Sequence, residues 1–468
     1  LVVGIALVLR NPSAVAEDDA AYYHSGPLAG SLKSADPLPI YDSDPHHLWN
    51  RLFAALYIRP SNLADAGGGP PVARIEGGDT IDFFGWAGTT YWDEPAVSGP
   101  VRALLDEFET AHGAALIDDP LHRAVLLRDL WAAFDFLVGQ NIRRTGTLDV
   151  RRDRDALCGR LARIIETLAL PRAAIDALPD NYAAAVACGA FMTDGRLDPR
   201  HDSLPAGLFT RPDEWVEIDF FRPNVHEDLF DRRITLHTRS YRGRSYFRIF
   251  YRFPEGRAQL DAYLKQLDAV GVDWRQAAQD GFILLKPDAP QIPVGTEVAL
   301  VQSMMTLDDQ LHPTPTRLVE SVRMRNYLST DGSNVGDTNT GLGMNVLEYT
   351  LKRRLLFDGL RAGGLAREDE HGPIYRVIFQ GDEEPDWGHD RRKVLFQQCV
   401  DCHMSPNVDR KGVHSLVSIV HMGGFDAGAQ PGIAVPVAAG TADVRGPRAA
   451  RWKTNHETYR RLLEYLGR

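Results

Sequence analysis

Ile234-Thr-Leu-His-Thr-Arg-Ser-Tyr-Arg-Gly-Arg-Ser-Tyr-Phe-Arg-Ile-Phe-Tyr-Arg-Phe253 is the stretch on which the fold class turns. Its apolar positions recur every second residue, the period of a strand. Arg242-Gly243 interrupts the run and reads as the turn of a β-hairpin. Phe247, Ile249, Tyr251 and Phe253 line one face of the second arm, while Arg244, Arg248 and Arg252 share the other. Such a basic stripe is either an anion-docking surface or the solvated outer face of an antiparallel sheet, and the solvated face is the expectation. Downstream, strands are expected at 297–304, 316–327 and 373–379, and helices at 258–267 and 345–360.

Upstream of about residue 213 the period is different. Leu127, Leu130, Trp131, Phe134, Leu137 and Val138 repeat at the three-to-four spacing of a helix. Leu157, Leu161, Ile164, Ile165 and Leu168 continue that mode until Pro171. A short helix is expected at 47–57, ahead of the breaker Gly67-Gly68-Gly69-Pro70-Pro71. The body is therefore expected to be α+β. A loop-rich start and helical region (17–210) precede a β-rich α+β region (211–385), with antiparallel strands.

The chain has 468 residues, 44% hydrophobic and 25% charged, which suits two or three globular units rather than a disordered polymer. Its net charge of −11 argues against non-specific nucleic-acid binding, which requires a basic surface. The charge is uneven. From Asp386 onward, 12 Lys and Arg face 8 Asp and Glu, leaving a net −15 on the remainder. Gly381-Asp-Glu-Glu-Pro-Asp386 reads as a linker at this seam. A basic tail of this kind suits docking on an acidic surface, its own or that of a redox partner protein.

Residues 1–16 contain an apolar run, Leu1 to Leu9, followed by Ala14-Val15-Ala16, and match the back half of a secretory signal or an N-terminal membrane tether. A periplasmic or extracellular location, with or without a membrane anchor, is the expectation. Four cysteines occur. In an exported chain Cys158 and Cys188 are as readily a disulfide as buried thiols.

The other two cysteines form Cys399-Val400-Asp401-Cys402-His403, the pattern C-x-x-C-H. Two thiols at this spacing can add across the vinyl groups of one porphyrin edge, and the adjoining imidazole then lies under the iron. Zinc would need a further ligand pair, for which His414 and His421 are available, and a thioredoxin-like role would need a βαβ context that the sequence lacks.

Residues 386–468 thus resemble a small class I c-type cytochrome domain. In that family a short helix leads into C-x-x-C-H, a loop-rich middle supplies the second iron ligand, and a terminal helix packs on the first. Here 391–398, the motif, the Gly- and Pro-rich 423–447 and a helix at 449–466 follow in that order. The terminal helix would carry Trp452, His456, Tyr459, Leu463 and Leu466 on one stripe. The resemblance implies one covalent haem c held by Cys399 and Cys402, with His403 as the proximal iron ligand. Met404 is too close to reach the opposite face of the ring. Met422 is the candidate distal ligand, with His414, His421, His456 or an open position as alternatives. A closed iron means electron transfer, and an open one permits peroxidase-like catalysis. A third reading makes the body a binding scaffold and the haem an accessory.

Overall fold

The computed structural model describes residues 37–57, 59–61, 74–76, 92, 95–142, 144, 146–198, 200–219, 244–270, 290–329, 344–367, 420–421, 432–433 and 435–468. The described helices are α1 (Leu48–Tyr57), α2 (Pro95–Thr110), α3 (Pro120–Ile142), α4 (Leu148–Leu168), α5 (Arg172–Asp176), α6 (Asn181–Ala187), α7 (Arg257–Val270), α8 (Arg353–Phe357), α9 (Arg445–Asn455) and α10 (Glu457–Tyr465). The strands are β1 (Arg59–Ser61), β2 (Arg74–Glu76), β3 (Val216–Asp219), β4 (Ser245–Arg252), β5 (Glu297–Leu307), β6 (Pro313–Tyr327), β7 (Met344–Leu351), β8 (Leu365–Arg367), β9 (Val420–His421), β10 (Gly432–Ile433) and β11 (Val435–Pro436). The architecture is mixed α+β, a helical half followed by an antiparallel sheet.

The helical half forms around α3. Seventeen of its residues, from Ala124 to Gln140, are buried without interruption, so it is a central helix rather than an amphipathic surface one. Helix α4 packs along it through Leu157, Leu161, Ile164, Ile165 and Leu168, all at most 2% exposed. Thr147 caps α4 by accepting from the Val150 N–H, and Asp149 adds favourable charge in the first turn. Helices α1 and α2 close the far side, where Trp49 donates from Nε1 to the Gly113 carbonyl at 2.7 Å.

The sheet has seven strands in the order β11-β3-β4-β5-β6-β7-β8, and every neighbouring pair is antiparallel. Strand β4 is the second arm of the stretch that opened the sequence reading. The first arm lies outside the described residues, and the described neighbours of β4 are β3 and β5.

Because directly paired residues share a face, the register sorts the central strands into two surfaces. One carries Phe250, Ala299, Met324 and Leu347 in a row, with Arg248, Val301, Val322 and Tyr349 beside them. Residues 181–215 lie on it. Phe209 meets Phe250 edge-on at 5.4 Å, Phe191 meets Tyr349 at 5.5 Å, and the Ser203 N–H donates to the Tyr349 hydroxyl at 2.7 Å. The opposite surface carries the rows Phe247-Gln302-Ser321-Thr350, Ile249-Leu300-Arg323-Glu348 and Tyr251-Val298-Arg325-Val346. It grows polar toward β6 and β7.

Two expectations are corrected and one open alternative is decided. Residues 345–360 are not one helix, because 344–351 pair with both β6 and β8, and only Arg353–Phe357 is helical. Ladder pairing on both sides outweighs the helical propensity of Leu and Glu there. The arginine stripe of β4 is not a solvated face. Arg244 is fully buried against Asp135, Arg248 is clamped by Glu217 at 2.7 and 3.1 Å, and Arg252 pairs with Glu214 and Glu297. Cys158 and Cys188 are both free thiols, the first buried and the second exposed. Burial pushes the Cys158 thiol well above the ordinary range. In the folded protein a thiol reagent is therefore expected to modify Cys188 readily and Cys158 only after unfolding. Equal rates before unfolding would contradict this placement.

The expected helix 449–466 is two helices, hinged at His456, whose backbone is extended. His456 accepts from the Thr458 N–H and so caps α10. Neither helix stands apart from the body. Helix α9 packs on β4 and β6, α10 packs on α3 and α4, and β11 pairs with β3. Ala449, Trp452, Tyr459 and Leu462 belong to the same buried cluster as Trp131 and Leu161. Residues 435–468 thus pack on the α+β body.

Gly363 marks a close approach behind the sheet. It has φ +64°, and a Cβ there would stand 2.1 Å from the Asn181 carbonyl oxygen. Asn181 also donates to the Gly363 carbonyl at 2.9 Å and to that of Val319 at 3.0 Å. Gly363→Ala combines positive φ with a backbone clash and is expected to cost ~3 kcal/mol or more, read as a fall in the urea midpoint.

Candidate functional site

Cys399, Cys402, His403 and Met422 lie outside the described residues, as do His414 and the expected helix at 391–398 and strand at 373–379. The flanks of this segment are described. The chain leaves the sheet after β8, at one edge, and rejoins it at β11, at the other. Between them the antiparallel pair β9–β10 sets His421 opposite Gly432, and β10 lies against α7. Met422 thus follows directly on the described strand residue His421.

Among the described residues the densest chemistry lies where α3 meets the sheet. Glu320 stands at the irregularity between β5 and β6 and pairs with Arg128 Nε at 2.7 Å, both side chains fully buried. Gln302 donates from Nε2 to the same carboxylate at 2.7 Å, and the Ser245 hydroxyl donates to it as well. The next residue, Asp129, receives Arg353 through two hydrogen bonds of 2.5 and 3.0 Å and the Tyr41 hydroxyl at 2.5 Å. Burial and the Asp129 charge together raise the Tyr41 phenol well above its ordinary pKa.

Asp135 anchors the third group. Its Oδ2 accepts from Arg244 at 2.8 Å and from Lys453 of α9 at 2.5 Å. Lys453 also donates to the Thr458 hydroxyl at 3.0 Å and sits 5.1 Å from the centre of the Trp131 ring. Burial opposes ionisation of Asp135, but Lys453 and Arg244, with His456 nearby, hold its carboxyl below the ordinary value. A folded-state pKa below the unfolded one contributes stability above about pH 4 and loses it as pH falls through the folded value. Denaturant midpoints measured from pH 6 down to 2 are therefore expected to fall more steeply in the native sequence than in Asp135→Asn.

Charges inside the apolar run of α3 were the sequence signal for this cluster, since Arg128, Asp129 and Asp135 interrupt otherwise hydrophobic positions. Their partners on β4, β6, α8 and α9 are more than 100 residues away and carried no local signal. Fully buried and paired carboxylates of this kind organise a helix–sheet junction. Trp92, from the aromatic run beginning at Phe83, is buried and donates to the Leu56 carbonyl at 2.8 Å. The rest of that run lies outside the described residues. Asp42 and Asp44 accept backbone N–H groups of a local turn beside His46 and His47. Among the described residues no group of three or more His, Cys, Asp or Glu side chains is placed to hold a metal ion. Among them, too, no helix is long and apolar enough to cross a membrane.

Compared with profiles of known families, with curated proteins and with solved structures, the chain matches none.

Proposed function

We propose that this chain is an exported c-type cytochrome with one covalent haem, serving electron transfer to or from a partner redox protein. The observation that carries the reading is Cys399-Val-Asp-Cys402-His403, whose donor chemistry is two thiols and an imidazole at the haem c spacing. In this reading Cys399 and Cys402 form the thioether links, His403 ligates the iron and Met422 is the second ligand. The bound group supplies one-electron exchange between ferric and ferrous iron. The protein's own part is to fix the group in place. Tethering at both ends to a rigid sheet supports that role, since a carrier must present its centre at a constant geometry to a partner.

The finer resemblance to a class I cytochrome domain covers residues 386–468, of which 420–421, 432–433 and 435–468 are among the described residues. Where the chain returns, Asp219 on β3 receives Arg445 at 2.8 Å and Arg448 at 2.9 Å, and Tyr246 donates to Asp443 at 2.9 Å. These contacts anchor the chain that follows β11 to the sheet.

Protein matured in a host that attaches haem c is expected to give a low-spin ferric spectrum with a sulfur–iron charge-transfer band. Met422→Ala should abolish that band and admit cyanide. A high-spin native spectrum with rapid cyanide or carbon monoxide binding would instead favour a peroxidase-like enzyme.

A further inference from the structure

We propose that Tyr41 is a redox-active tyrosine, which gives one electron to a strong oxidant at the surface of the helical half while Asp129 takes its phenolic proton. Every residue in the argument is distant in sequence from Cys399, so the inference is independent of the haem reading.

The proton acceptor supplies the first argument. Loss of an electron turns a phenol into a far stronger acid, so a buried tyrosine is oxidised readily where a base stands ready for the proton. Four oxidisable rings lie together around α1. Trp49 donates from Nε1 to the Gly113 carbonyl at 2.7 Å, Trp92 to the Leu56 carbonyl at 2.8 Å, and the Tyr57 hydroxyl to the Asp129 carbonyl at 2.7 Å. An amide carbonyl does not take a proton near neutral pH. The Tyr41 hydroxyl instead donates to a carboxylate oxygen, Oδ2 of Asp129, at 2.5 Å. Arg353 fixes that carboxylate through hydrogen bonds of 2.5 Å to Oδ1 and 3.0 Å to Oδ2, and Arg128 lies 4.0 Å from Oδ1.

The rings supply the second. Tyr41 stands at their junction, its centroid 5.7 Å from Trp49, 5.8 Å from Phe53 and 5.4 Å from Phe357. Phe53 stacks on Tyr57 at 5.2 Å, and Tyr57 meets Trp92 edge-on at 5.9 Å. Tyr41, Trp49, Phe53, Tyr57 and Trp92 are each at most 3% exposed, which shields a radical formed among them from solvent. Phe357 of α8 leads outward. It is half-buried, and the half-buried His122 ring stacks on it at 3.8 Å. An oxidant that touches this pair is one ring away from Tyr41.

The oxidant belongs to the class of high-potential one-electron acceptors, such as a ruthenium(III) polypyridyl complex. One electron passes to it from the Tyr41 ring, the phenolic O–H bond breaks, and the proton bonds to Asp129 Oδ2. A neutral tyrosyl radical is left beside a neutral carboxylic acid. One electron from a donor such as ascorbate reverses both changes.

Tyr246 and Tyr465 also donate to carboxylates, those of Asp443 and Asp155, and serve as comparisons. Full-length protein is oxidised with photogenerated tris(bipyridine)ruthenium(III), frozen within milliseconds and read by electron paramagnetic resonance. A tyrosyl signal is expected, most of it lost in Tyr41→Phe and most of it kept in Tyr246→Phe/Tyr465→Phe. An undiminished signal in Tyr41→Phe, or its loss in the double variant, would overturn the proposal. A second measurement uses the native chain and depends on no variant's folding. The radical should form at the same rate at pH 6 and pH 8, because its proton goes to Asp129 rather than to solvent. A rate that climbs with pH would show solvent to be the acceptor and would overturn the proposal as well.

Discussion

A chain ended at Pro385 is expected not to fold. The region after it includes α9 and α10, which bury Trp452, Tyr459 and Leu462 against α3, α4 and the sheet. Losing three such side chains removes about 5–9 kcal/mol of burial. Removing Lys453 as well takes one of two cations from the buried Asp135, a loss on the order of 3–5 kcal/mol. The total rivals the whole stability of a typical domain, about 5–15 kcal/mol. Circular dichroism and denaturant titration of the truncated chain should show no cooperative unfolding transition. A well-folded truncated body would contradict the packing of the terminal helices described above.

The second large effect belongs to Lys453 by itself. Lys453→Ala is expected to destabilise the full-length protein by about 3–5 kcal/mol, because Asp135 would stay buried with Arg244 as its remaining cation contact from this pair of donors. The double variant Asp135→Asn/Lys453→Met should lose clearly less than the sum of the two single changes, since neutralising both partners removes the stranded charge. Strict additivity in that cycle, measured by urea denaturation, would mean that the two side chains do not act as a pair.

Local signals carried the helical half well, because Leu127 to Val138 in α3 and Leu157 to Leu168 in α4 recur at three-to-four spacing. They also located β4, β5 and β6, where alternation coincides with β-branched and aromatic residues. They failed wherever a distant partner decides the outcome. The Leu- and Glu-containing 344–351 is a strand only because β6 and β8 pair with it. Arg244, Arg248 and Arg252 look solvated until Asp135, Glu217 and Glu297 are brought beside them. The terminal stripe was legible as helix, but the surface that it covers was not. At His456 the stripe left a polar edge residue and an iron ligand both open, and in the fold its ring caps α10 and lies 4.9 Å from Trp452. The haem motif is the converse case, being readable in five consecutive residues because its chemistry is local.

The account depends most on covalent haem at Cys399 and Cys402. Intact mass and visible absorption of the denatured protein, purified from a host with complete cytochrome c maturation, test this directly. The expected result is a single species that keeps its colour after unfolding, has gained the mass of one haem, and loses both in Cys399→Ser/Cys402→Ser. Colourless native-sequence protein of unmodified mass from that host would contradict the account.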